Sequence, residues 1–281
     1  MFWSFVLSSL LLTSIGYVVI IQLLRKYLST ENYRNRKVPT GGGIVLVFAF
    51  LFTVAYYLFF SEKDLIPFRE WLLPLTILVA GLGFLGFIDD VYGMHGIGGF
   101  KGHFSELLRG HVTTGIIKAI GGGVICLVVA ALSSAGYAAT LINGLLMALL
   151  ANIFNLLDLR PGRAMKLFLI LGIAIFLLSV NSKFWILSGL LFGPLIILLG
   201  ADLSESCMLG DAGSNVIGGI AGFAIVSNFE LPVSIAALGL AILAHVYTES
   251  HSISKLINDT PMLRKLDEIG RIKPRRIEKL Q

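Results

Sequence analysis

The sequence predicts an all-α, polytopic integral membrane protein with about nine transmembrane helices, its amino terminus outside and its carboxyl terminus in the cytoplasm. Three observations carry that prediction. Hydrophobic residues make up 56% of the 281 residues and charged residues only 14%, where a water-soluble domain is nearer a quarter charged, and mean hydropathy is +0.86. Apolar runs of about 20 residues, long enough to cross a bilayer core as a helix, recur along the chain. Of 22 Lys plus Arg, 18 fall in alternate connecting segments, the asymmetry of the positive-inside rule. Together these exclude a soluble α/β enzyme, a disordered chain and a separate water-soluble domain. The net charge of +5 lies in short loops between apolar runs; it reads as topology, and no nucleic-acid partner is expected.

The spans follow in order. Residues 2–24 carry no basic residue ahead of the apolar run, which is too long for a signal-peptide core, and Arg25 and Lys26 follow it directly. That predicts an uncleaved first helix with its amino end outside. Further spans are expected at 44–60, 71–88, 113–132, 138–157, 167–181, 184–200, 214–228 and 232–250. Alternation then puts 25–43, 89–112, 158–166, 201–213 and 251–281 inside. Only Lys63, Arg69 and Lys183 fall outside, and Lys118 lies within a span. The basic tail 251–281 spaces Leu256, Ile257, Leu263, Leu266, Ile269 and Ile272 roughly as a helix face, so it is expected to lie on the anionic inner leaflet. Cys126 and Cys207 match no metal or disulfide spacing and read as free thiols.

Polar residues at the span ends carry the functional argument, because carboxylates at membrane depth are costly. Asp89 and Asp90 end the third span, Asp158 ends the fifth, and Asp211 opens the eighth; the charge count puts all four on one side. Asp211 suits a helix amino end. Asp89, Asp90 and Asp158 sit at carboxyl ends, where the helix dipole disfavours a negative charge. Adjacent carboxylates ask for a compensating cation, and oxygen ligands without a His or Cys cluster suit Mg²⁺ or Mn²⁺. Lys118 lies about a turn and a half into the fourth span, too deep for a snorkelling role. Arg160, Arg163 and Lys166 follow Asp158 closely, and Gly41, Gly42, Gly43, Gly210 and Gly213 allow close backbone approach to a ligand. Asn152, Asn155 and Asp158 recur every three residues and so share one helix face. A metal, donors for phosphate and a carboxylate are the parts that phosphoryl transfer needs.

These residues resemble the polyprenyl-phosphate N-acetylhexosamine-1-phosphate transferases, the family that includes phospho-N-acetylmuramoyl-pentapeptide translocase. The resemblance runs from about Lys37 to His251 through PTGGG at 39–43, IDD at 88–90, TGIIK at 114–118, NIFNLLD at 152–158 and LGDAGSN at 209–215, in family order. It implies that residues 1–250 form a transmembrane catalytic domain in a bacterial cell membrane, with its active-site loops in the cytoplasm. A nucleotide sugar would give its sugar-1-phosphate to a membrane polyprenyl phosphate, with Mg²⁺ as cofactor. By the same resemblance Asp89, Asp90 and Asp158 are catalytic, Asn155 and Asp211 bind the metal, and Thr40, Lys118, Asn152, Ser214, His251 and Lys255 contact substrate. Such proteins often pair, so a homodimer is among the implied partners, besides membrane lipids. Where the family usually continues as DGxDG, this chain reads Asp158-Leu159-Arg160-Pro161-Gly162-Arg163, and the usual His-x-His loop is replaced by two histidines six apart, His245 and His251. Arg160, Arg163 and Lys166 are therefore expected to recognise the donor. A lipid-phosphate binding or transport protein that has lost turnover is the alternative.

Overall fold

The computed structural model describes residues 2–60, 66–93, 106, 109–179 and 181–272. Among these, nine helices cover the nine expected spans: α1 (Phe2–Tyr27), α2 (Gly43–Phe60), α3 (Arg69–Tyr92), α4 (Thr114–Ser133), α5 (Tyr137–Leu157), α6 (Arg163–Leu178), α7 (Ser182–Leu203), α8 (Gly210–Asn228) and α9 (Leu231–Ser250). Two short helices, α10 (Ile253–Asp259) and α11 (Pro261–Glu268), follow. Between α1 and α2 lies an antiparallel hairpin of β1 (Ser29–Glu31) and β2 (Lys37–Pro39), with Thr30 opposite Val38.

Seven helices, α1–α5, α7 and α9, are long and apolar enough to cross a membrane. The other two differ for separate reasons. α6 has 16 residues, short of the roughly 20 that a bilayer core needs. α8 is the centre of the bundle: every residue from Ala212 to Ala224 is buried, and it packs against α2, α3, α5 and α6. A helix enclosed by protein needs small residues more than lipid-facing apolar ones. A Cβ on Gly218 would come within 2.7 Å of Ala151 Cα, and one on Gly222 within 2.8 Å of Met147 Cα, so α8 and α5 meet backbone to backbone.

The segment leading into α2 is strapped to the turn before α8. Met208 N–H donates to the Pro39 carbonyl (2.8 Å), Gly42 N–H to Met208 (3.0 Å) and Gly43 N–H to Leu209 (2.7 Å). A Cβ on Gly43 would collide with the backbone of Gly213. Gly43 and Gly213, expected to allow close backbone approach to a ligand, thus serve the approach of two helices.

α9 lies on the outside, with only Ser234 and Ala241 buried, and packs along α5. Between α6 and α7 the packing leaves an apolar cavity of about 350 Å³, lined by residues such as Phe168, Phe176, Leu191 and Leu195. One flank of α6 therefore lacks a close-packed neighbour, while another packs on α8.

Candidate active site

The carboxyl ends of α3 and α5 meet the amino ends of α4 and α8 at one end of the bundle. Lys118, in the second turn of α4, extends its ammonium between two carboxylates: it donates to Asp89 Oδ2 (2.6 Å) and to Asp211 Oδ2. Asn155 Nδ2 donates to the same Asp211 oxygen (3.2 Å). The three charged side chains are 16–27% exposed, so the group is half-buried yet reachable. Asp89, Lys118, Asn155 and Asp211, singled out separately along the chain, form one constellation.

Asp90 has a different task. Its Oδ1 accepts the N–H of Asp211 (2.9 Å) and its Oδ2 the N–H of Ala212 (2.9 Å). Both oxygens accept from the orphan amides that open α8. A carboxylate disfavoured at the end of its own helix is stabilised by the positive end of a neighbouring one. Asp90, expected to be catalytic, is thus also a cap delivered across the bundle.

Asp158 closes α5, and burial, with the charges of Asp202, Asp211 and Asp90, pushes its carboxyl well above the usual range. Asp202, near the end of α7, accepts the Gly162 N–H (2.6 Å) and so fixes the loop after Asp158. Arg160 lays its guanidinium 4.3 Å over the ring of Tyr33 in the hairpin turn, a cation–π contact. The Tyr33 hydroxyl donates to Glu205 Oε1 (3.1 Å), which also pairs with Arg34 (2.9 Å), and Asn32 Nδ2 donates to Glu205 Oε2 (3.1 Å). Burial and the Glu205 charge push the Tyr33 phenol up, which keeps it a donor. Glu205 holds a left-handed backbone (φ 55), a strained conformation for a residue with a side chain. Its three partners retain it. Asp158, Arg160, Tyr33, Asp202 and Glu205 line, with Leu159 and Met208, a small cleft of about 30 Å³.

The remaining expected residues are placed elsewhere. Ser214 is fully enclosed, its Oγ without a hydrogen-bond partner among the described residues, so its expected substrate contact is corrected to core packing. Thr40 is buried where β2 ends, its N–H on the Leu28 carbonyl. Arg163 and Lys166 turn from the cleft to the carboxyl-terminal segment: Arg163 pairs with Asp267, and Lys166 Nζ donates to the carbonyls of Leu266 and Asp267. That corrects their expected direct contact with a donor. Asn152 Nδ2 bonds His245 Nε2 (2.8 Å); since His245 Nδ1 sits on the Ala241 carbonyl (2.9 Å), Nδ1 carries the proton and Nε2 accepts. His251 is exposed and stacks on Tyr247 (4.5 Å), and Lys255 is exposed on α10.

The sequence reading missed Asp202 and Glu205. Asp202 carried the same signal as Asp158, a carboxylate closing an apolar run; Glu205 carried none, because its role depends on a hairpin far away in sequence.

An oxygen-only donor set suits a hard divalent cation. Asp89 and Asp211 aim oxygens at one cationic atom, with an amide beside them. No group of three or more His, Cys, Asp or Glu is disposed to hold a metal among the described residues. Two carboxylates with substrate phosphates are nevertheless a common Mg²⁺ environment, so these residues fit that ion. No protein-family model matches the chain, and a search of curated proteins returns no match.

Proposed function

We propose that this membrane protein transfers a sugar-1-phosphate from a nucleotide-activated sugar to a polyprenyl phosphate in the bilayer, leaving a nucleoside monophosphate. One observation carries the reading: two carboxylates, an amide and an ammonium converge, half-buried, at one end of a bundle of membrane-length helices. A lipid phosphate at the membrane surface and a water-soluble donor could meet only at such a boundary.

In the proposed reaction an oxygen of the lipid phosphate attacks the β-phosphorus of the donor. The bond from that phosphorus to the bridging α–β oxygen breaks, and the nucleoside monophosphate leaves with that oxygen. A phosphate monoester is largely ionised at neutral pH, its second pKa being about 6, so no side chain need deprotonate the attacker. Asp89, Asp211 and the amide of Asn155 would hold Mg²⁺ or Mn²⁺, which when bound neutralises phosphate oxygens as charge redistributes. Lys118 lies between the two acids and can turn to a phosphate oxygen once a cation satisfies them. Asp90 supports the reaction indirectly by fixing the first turn of α8, on which Asp211 rides. The cleft of Tyr33, Asp158 and Arg160 is the proposed donor side. The positive-inside distribution supports a cytoplasmic site and nine spans.

The test is purified protein in detergent with undecaprenyl phosphate, Mg²⁺ and a panel of nucleotide sugars, followed by radiolabelled lipid product and released nucleotide. Product with at least one donor, abolished by EDTA, supports the reading. A second reading, a lipid-phosphate binder without turnover, is favoured by the ammonium lodged between Asp89 and Asp211. It predicts polyprenyl phosphate binding with no product from any donor.

A further inference from the structure

The carboxyl-terminal segment crosses back over the loop that follows Asp158. Asp267, 7% exposed, accepts Arg163 Nε on one oxygen (3.0 Å) and Nη2 on the other (3.1 Å), a forked pair. Arg271 Nη2 donates to the same carboxylate (2.5 Å), while its Nε donates to the Pro161 carbonyl (3.0 Å). Arg163 Nη1 reaches Ser254 Oγ (3.1 Å), Lys166 Nζ holds the Asp267 carbonyl (2.7 Å), and Arg34 Nη2 holds that of Ile272 (2.8 Å).

This is more than a tail resting on a surface. Elsewhere in residues 158–163, Arg160 rests on Tyr33 and Gly162 on Asp202, and Pro161 and Gly162 are buried. The helix they lead into, α6, is short and has the apolar cavity along one flank. Its first turn is packed through Ala164 and Met165, so the polar contacts bear on the loop before it. The bonds from Asp267 and Arg271 attach on both sides of Gly162, whose backbone is left-handed (φ 73) and hence a natural pivot. The apolar residues that suggested a membrane-facing helix stay outward, Leu263, Leu266 and Ile269 being exposed while Ile257 is buried.

We propose that Asp267 and Arg271 are positioning residues: as a clasp they set the Asp158–Arg163 loop, and through it Asp158 and Arg160, for the nucleotide-sugar donor. The proposal rests on the transfer reaction above for its kinetic consequence, and on geometry alone for the clasp.

The test uses the full-length protein carrying Asp267→Asn or Arg271→Gln, with Asp267→Glu as the conservative variant. The donor is whichever nucleotide sugar of the panel gives product. Losing an oriented, charge-assisted contact should raise KM for the donor about tenfold or more. KM for undecaprenyl phosphate and kcat should change less than about threefold, and Asp267→Glu should recover part of the loss. A merely structural tail predicts equal losses in both substrates, or a lowered unfolding temperature with unchanged KM; either overturns the proposal. So does a fall in donor KM, which would make the segment an inhibitory lid. Amide hydrogen exchange at Leu159, Arg160, Gly162 and Arg163 is the second readout, expected to quicken in Asp267→Asn while α8 is unchanged. If no donor gives product the transfer reading fails, and exchange still decides the clasp, since an unchanged rate refutes it. If Asp267→Asn does not fold, Arg271→Gln, which leaves the Arg163–Asp267 pair, carries both measurements.

Discussion

Replacing Asp89 and Asp90 one at a time separates chemistry from architecture at two adjacent carboxylates. Asp90 satisfies two backbone amides at 2.9 Å each at the positive end of α8. Hydrogen bonds to a charged group contribute about 1.5–3 kcal/mol each, and a partly buried charge at a helix end up to roughly 2 kcal/mol. Asp90→Asn keeps one acceptor, loses the charge and turns an NH₂ toward an N–H. The expected cost is about 2–4 kcal/mol, which at roughly 2–4 °C per kcal/mol lowers Tm by about 4–16 °C. Asp89→Asn should be nearly neutral, because Lys118 retains Asp211 and one of two neighbouring negative charges is removed. Intrinsic tryptophan fluorescence during heating in one detergent measures both, and product formation is assayed below the lower Tm. Asp89→Asn should keep the wild-type Tm and lose turnover by orders of magnitude. Asp90→Asn should lose stability and retain measurable turnover while folded. An Asp90→Asn protein that melts with the wild type yet forms no product would refute the cap assignment and return Asp90 to the chemistry.

Three further expectations are open to direct measurement. Product formation should vanish in EDTA and return with Mg²⁺ or Mn²⁺; full activity in chelator would remove the metal from Asp89, Asn155 and Asp211. Burial, with the nearby Asp202 charge, pushes the Cys207 thiol up to about 12, so it should resist iodoacetamide at pH 8 until the protein is denatured, and rapid labelling of the folded protein would contradict its enclosure. For Asp267, burial opposes ionisation, but the hydrogen bonds and charges of Arg163 and Arg271 outweigh it and hold its carboxyl below the ordinary 3.8. A depressed carboxylate contributes stability above its unfolded pKa and loses it as pH falls through the folded one. Exchange protection of residues 159–163, corrected for the intrinsic rate, should thus be the same at pH 5 and pH 7, and release of the clasp between them would show that another group holds it.

The fold was legible because its physics is one-dimensional. A run of apolar residues declares a membrane helix wherever it sits, and loop charge needs no partner to be counted. The site was legible where a residue's type was costly in its place: Lys118 at depth, Asn155 on an otherwise apolar face, Asp89 and Asp211 at span ends. The failures share a cause as well. Asp90 was weighed against the dipole of its own helix, when the helix that matters, α8, begins some 120 residues later, as its bond to Asp211 shows. The glycines at 43 and 213 were read as letting a ligand approach the backbone, because sequence displays the missing side chain and not what comes close to it. Arg163 and Lys166 were assigned to a donor on charge alone, while their partner, Asp267, lay in a tail whose visible pattern was apolar spacing. In a helical membrane protein lateral neighbours are chosen by shape across long separations. A polar residue's cost can therefore be read from the chain, but what offsets that cost can be read only from the packing.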